Sequence, residues 1–145
     1  MKTFNFFVLL IFVSQILMAQ GNKGPIIKFD NESYNFKEII QGSKAEIDFV
    51  FTNVGDEPLI ISNVRSTCGC TVPKWTNEPV KPGEKGKITV KYDSNRIGNF
   101  SKQITVSSNA NNGNVVLLIT GKVSPKPAEA IPYSKTDASG IPIVQ

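Results

Sequence analysis

Apolar and polar positions alternate with a period of two over much of this chain, and no segment holds a helical period for three turns. Ala45, Ile47, Phe49 and Phe51 alternate with Glu46, Asp48 and Val50, which predicts a strand with one buried face and one largely wet face. Similar patterns predict short strands at Ile26–Phe29, Tyr34–Phe36 and Ile39–Ile40, and a denser apolar strand from Leu59 to Val64. Thr71 to Trp75 resumes extended structure, with Pro73 marking an edge or a bulge. Ile88, Val90 and Tyr92 face inward on the next strand, Phe100, Ile104 and Val106 on the one after, and Val115 to Val123 closes the set. Turn clusters punctuate the pattern: Gln41-Gly42-Ser43, Asn53 to Pro58, Pro79 to Gly86, Asn95 to Gly98 and Asn109 to Asn114. Asn112-Gly113 in the last cluster predicts a tight hairpin turn with positive φ at both residues. About seven or eight strands without β-α alternation give an all-β, two-sheet sandwich, because each half-apolar sheet must bury its face against another.

The two ends differ from this middle. Lys2, the apolar run Phe4 to Met18 and small Ala19 have the order of a secretory signal peptide over residues 1–19, with Gln20 as the expected new N-terminus. No later stretch is long enough for a membrane span, so no transmembrane segment is expected in the mature chain. Residues 24–124 carry the strand pattern and form one expected domain. Residues 125–145 are rich in Pro, Ala, Ser and Gly, without periodicity, and read as an extended tail. Its run Ile141-Pro142-Ile143-Val144 is apolar for a free tail, which leaves a frayed end and a segment that docks on its own domain or a partner as the two readings.

Charge and composition exclude several function classes. The formal net charge is +4, or +3 without Lys2, and the densest basic group, Lys81, Lys85, Lys87 and Lys91, is interleaved with Glu84 and Asp93. A strand face in solvent fits that pattern, whereas a nucleic-acid surface needs a contiguous basic stripe. Histidine is absent, which removes the commonest general base, the commonest metal ligand and every Ser-His or Cys-His nucleophile. The acidic residues show no calcium-loop or paired-carboxylate spacing. No cofactor and no enzymatic activity are expected.

Candidate chemistry is confined to Ser66-Thr67-Cys68-Gly69-Cys70-Thr71, which holds both cysteines at the end of the Leu59 strand or in the bend beyond it. Three readings stand. Cys68 and Cys70 flank a tight bend as free thiols, one packed as a small apolar residue and the other partly exposed. Alternatively they form a small-ring disulfide with redox use, with Gly69 absorbing unusual backbone angles. Or they serve as Cu(I) ligands, since two soft thiolates suit that ion better than tetrahedral zinc. Trp75, five residues on, is either core or the flank of a groove beside Thr71 and the cysteines.

The ordered elements Phe49-Val50-Phe51-Thr52-Asn53-Val54-Gly55, Pro58-Leu59-Ile60-Ile61, Cys68-Gly69-Cys70-Thr71, Pro79 to Glu84 and Ile88-Thr89-Val90 resemble the bacterial domain-of-unknown-function family 1573, common in secreted proteins of Bacteroidetes. That family is similar in turn to the immunoglobulin-like modules of the ASH, MSP and Hydin group. The resemblance covers Ile26 to Val123 and implies an immunoglobulin-like sandwich, with no established activity. Where the family often has Asp-Phe-Gly before the second strand, this chain has Tyr34-Asn35-Phe36-Lys37. The expected function is an exported, non-enzymatic module that binds or organises proteins or envelope components, in the periplasm, at the envelope or outside the cell. The alternative is thiol redox or Cu(I) handling at Cys68 and Cys70.

Overall fold

The structure, a computed structural model, describes residues 24–127. The expected signal peptide and most of the tail lie outside the described residues. Eight strands form two four-stranded sheets. Strands β1 (Ile27–Phe29), β3 (Ala45–Asn53), β6 (Lys85–Tyr92) and β5 (Thr71–Trp75) make one sheet, in the order β1-β3-β6-β5. Strands β2 (Ser33–Ile40), β8 (Val115–Ser124), β7 (Gly98–Ser108) and β4 (Ile61–Ser66) make the other, in the order β2-β8-β7-β4. Only β2 and β8 run parallel; every other pair is antiparallel.

The period-two reading places the core correctly. Ala45, Phe49 and Phe51 are buried and Ile47 packs partly buried beside them, while Glu46 and Asp48 are exposed. Ile88, Val90, Ile104, Leu117 and Ile119 are fully enclosed between the sheets. In each sheet a phenylalanine ring occupies the space a Cβ would need on the glycine opposite, Phe51 over Gly86 and Phe100 over Gly121. The rings of Tyr34, Phe36, Phe100 and Tyr92 form a continuous chain of contacts, ending in a Phe100–Tyr92 stack with centroids 3.8 Å apart.

Four local expectations are corrected. Tyr34–Phe36 and Ile39–Ile40 are one strand, β2, carried through an irregularity between Asn35 and Glu38 where Lys37 adopts φ 57° and its N–H donates to Asn35 Oδ1 at 2.8 Å. The Leu59 strand starts at Ile61 and runs on to Ser66; Leu59 makes only a single bridge to Val80. The first strand begins at Ile27, not Ile26. Asn112-Gly113 makes no two-residue hairpin: Gly113 alone has positive φ, its N–H donates to Ala110 O, and six residues separate β7 from β8. The Asn112 side chain instead acts as a strand partner, accepting from Ile27 N–H at 3.2 Å and donating to Ile27 O at 2.8 Å. It thereby closes the outer edge of β1, a place where open main-chain groups invite association.

Asn53, at the end of β3, is fully buried and ties four segments together. Its amide donates to Glu57 O and Val80 O, and its Oδ1 accepts from Gly55 N–H and Ile26 N–H. Its main chain bonds Glu84 O and Gly83 N–H. Every polar atom of this buried side chain is satisfied, so the Asn53–Pro58 and Pro79–Gly86 turns are held as one unit.

Candidate functional site

Beyond Ser66 the chain leaves one sheet and enters the other at Thr71, and the whole cysteine motif is the hook that makes this crossing. Both feet of the hook are pinned by main-chain bonds that extend the strands. Thr67 N–H donates to Gln103 O at 3.1 Å beside β7, and Asp93 N–H donates to Cys70 O at 2.8 Å beside β6. A turn bond from Thr71 N–H to Cys68 O closes the bend.

Within the hook Cys68 and Cys70 form a disulfide, with Cα atoms 5.3 Å apart. This corrects the free-thiol reading, although the burial it expected is present: Cys70 is 4% exposed and packed in the core, and Cys68 is half-buried against it. The bent backbone already brings the two Cα atoms to an ordinary disulfide separation, so the small ring is not the obstacle its spacing suggests. The bonded sulfurs offer no thiolate pair, so the Cu(I) reading applies only to a reduced chain. The role given to Gly69 is also corrected: its φ is not in the left-handed region, and a Cβ there would meet open space.

Thr71 and Trp75 sit at the two ends of β5 and turn inward opposite Tyr92 and Ile88. Thr71 is 3% exposed, and neither its hydroxyl nor the buried Trp75 Nε1 has a hydrogen-bond partner. Trp75 packs against the core and does not line the cleft beside the hook, which settles its two readings in favour of the core.

That cleft is an open depression of about 720 Å³ on the outer side of the hook. Its wall carries Cys70, Gly69, Val72, Lys74 and Lys91, and its floor is closed by the Gly42–Lys44 and Tyr92–Asn95 turns. Val72 is 53% exposed, between lysines on both sides, because Val72 lies opposite Lys91 and two residues from Lys74. Among the described residues Lys74 and Lys91 form no ion pair, whereas Lys44 contacts Glu46 at 3.4 Å. Asp93, on the rim, is held below the usual carboxylate range, first by hydrogen bonds from Asn95 and then by Arg96. Sequence reasoning located Cys68, Gly69, Cys70 and Thr71 and missed Lys74, Lys91 and Val72. Their alternation with Pro73, Val90 and Tyr92 was the available signal.

The bond from Asp93 to Cys70 also fixes the phase of the β5–β6 ladder. Cys70, Val72 and Lys74 turn their main-chain groups toward β6, so Pro73 turns its missing N–H to the free edge and costs no ladder bond. The free edge of β5 is therefore poor in donors.

Residues 27–123 match the family described as Protein of unknown function (DUF1573). The chain belongs to that family. No curated protein matches the sequence. Among solved structures, a protein of unknown function from Porphyromonas gingivalis W83 superposes with a TM-score of 0.62 at 12% identity, covering 71% of this chain and 49% of that one. The chain thus spans about half the length of that relative. The ASH/PapD-like domain 7 of human CEP192 gives a TM-score of 0.60 at 10% identity over 70% of this chain and 87% of the domain. The secreted serine protease VesC of Vibrio cholerae gives 0.50 at 10% identity, over 68% of this chain and 23% of the protease. At these identities the likeness establishes the immunoglobulin-like fold. Among the described residues no helix is long and apolar enough to cross a membrane, and no group of three or more His, Cys, Asp or Glu could hold a metal ion.

Proposed function

We propose that this DUF1573 chain is an exported, non-enzymatic module that binds an acidic segment of another protein in the cleft beside the Cys68–Cys70 hook. One observation carries the reading: Lys74 and Lys91, without carboxylate partners, flank the exposed apolar surface of Val72 in a concave site. An extended partner with carboxylates on either side of an apolar residue is complementary to it, and such contacts set orientation and encounter rate as much as affinity. The test is capture of exported or envelope proteins by wild type and by Lys74→Glu/Lys91→Glu. Loss of one specific partner from the charge-reversed variant, and weaker capture by the wild type as salt rises, supports the site. Capture that is unchanged by the reversal defeats it.

The bonded state of the cysteines favours a second reading, thiol–disulfide exchange with a dithiol protein. A partner thiolate attacks the half-buried Cys68 Sγ, the S–S bond breaks, and its electron pair leaves on Cys70. The partner's second thiolate then attacks the mixed disulfide, releasing Cys68 as thiolate and leaving the partner oxidised. With oxidised glutathione as probe, the Cys68 thiolate of Cys70→Ser should attack its disulfide, forming a mixed disulfide and releasing one glutathione thiolate, and Cys68→Ser should not react, since Cys70 is enclosed. Equal trapping by both variants, or none by either, removes this reading.

A further inference from the structure

The lower half of β3 is an open strand edge. Asn53 N–H donates to Glu84 O, so odd-numbered residues of β3 turn their main-chain groups toward β6 and even-numbered ones turn away from it. On that far side Val54 N–H donates to Ile26 O and Val50 O accepts from Asp30 N–H. The next bond in the series would join Asp48 to Glu32, but the chain has already crossed to the other sheet, where Glu32 O accepts from Leu118 N–H. Among the described residues the N–H and C=O of Asp48 and Glu46 consequently have no strand partner. A cleft of about 440 Å³ lies along this edge, walled by Asn31, Tyr34 and Asn35 on one side and by Ile47, Asp48 and Phe49 on the other. Tyr34 is 41% exposed there.

We infer that this edge is the docking site of the chain's own C-terminal segment Ile141-Pro142-Ile143, added beside β3 as a short parallel strand. The described chain leaves the sandwich at Ser124, whose carbonyl accepts from Gln41 N–H, four residues before β3 begins at Ala45. The exit is therefore at the end where the open edge starts, and Ile40, 48% exposed and opposite Ser124, lies between the two. Fourteen peptide steps separate Pro127 from Ile141. Extended, they reach up to about 46 Å, against roughly 10 Å between packed sheets and a few residues' rise along β3.

The sequence of the segment fits one register. In a parallel pair Asp48 bonds the residues on either side of the one opposite it: its N–H donates to Ile141 O and its C=O accepts from Ile143 N–H. Pro142 then lies opposite Asp48 with its missing donor turned to solvent, the placement Pro73 has on β5. Side chains alternate, so Ile141 and Ile143 enter the cleft beside Ile47 and Phe49 while Pro142 stays on the outer face.

Amide hydrogen exchange on the full exported chain tests this. Asp48 N–H should exchange at least about tenfold more slowly in wild type than in Ile143→Asp, with no dependence on protein concentration. Ala130→Asp, in the tail but outside the segment, should retain the slow rate. The amides of Phe49 and Ile88, inside the sheet, report that each variant is folded. Equal rates at Asp48 in wild type and Ile143→Asp overturn the inference. Protection that grows with concentration also overturns it, because the added strand then comes from a second copy.

Discussion

At the scale of single residues, Lys37 and Thr71 are two positions where local chemistry and conformation disagree. Lys37 is the one non-glycine among the described residues with positive φ, at 57°. A side chain in the left-handed region costs roughly 1–2 kcal/mol, partly recovered here by the bond from its N–H to Asn35. Lys37→Gly should therefore raise stability by about 1 kcal/mol, read as a higher denaturation midpoint at unchanged slope. Thr71 buries a hydroxyl that nothing accepts or donates to. Thr71→Val keeps the shape and removes that burden, so a gain of about 1 kcal/mol is expected in the same measurement. A loss would reveal that the hydroxyl has a partner and return Thr71 to the candidate site.

At the scale of elements, what was legible in the sequence divides by range. Thr71–Trp75 and the buried faces of β3, β6 and β7 follow from alternation alone, since a strand with one wet face writes its geometry into successive residues. The disulfide is only one of three readings in the sequence, because a spacing of two makes a suitable Cα separation look hard to reach, and the 5.3 Å that the bend provides is set by tertiary contacts the spacing does not record. The Asn112-Gly113 hairpin failed because Asn112 is engaged by β1, a contact spanning 85 positions that no local turn rule contains. The cleft beside the hook, and the open edge of β3, arise from strands changing sheets and are invisible to periodicity. Asn53 shows the same limit. Its sequence neighbourhood reads as an ordinary turn, yet its side chain joins β1, two turns and the Leu59–Val80 bridge. Asn53→Ala should cost at least about 3 kcal/mol, because it strands two buried carbonyls and two N–H groups at once. Chemical denaturation should show the loss, and amide exchange should show it spreading to Val80 and Gly55 together. A loss confined to Gly55 would mean the two turns are not held as a unit.

At the scale of the molecule, charge distribution sets the pH range in which the sandwich is stable. Asp48 is held below the usual carboxylate range by hydrogen bonds from Lys87 and then Thr89, Asp93 by Asn95 and Arg96, and Glu38 by the hydroxyl of Ser124 and then Lys122. A carboxyl whose folded value is depressed contributes stability that is full above its unfolded value, near 4, and is lost as pH falls through the folded one. All three are exposed, so the acid limb should be shallow. Burial pushes the Tyr92 hydroxyl up, and hydrogen bonding to Asp48 raises Lys87. A group raised on folding contributes stability that is full below its unfolded value, near 10, and is lost as pH rises through the folded one. Between these limbs the chain has no histidine to titrate. Thermal midpoints should therefore be flat from about pH 5 to pH 9 and fall on both sides, with Tyr92→Phe moving the alkaline limb to higher pH and Asp48→Asn flattening the acid one. A step near pH 6 to 7 would defeat this assignment, since the chain has no histidine.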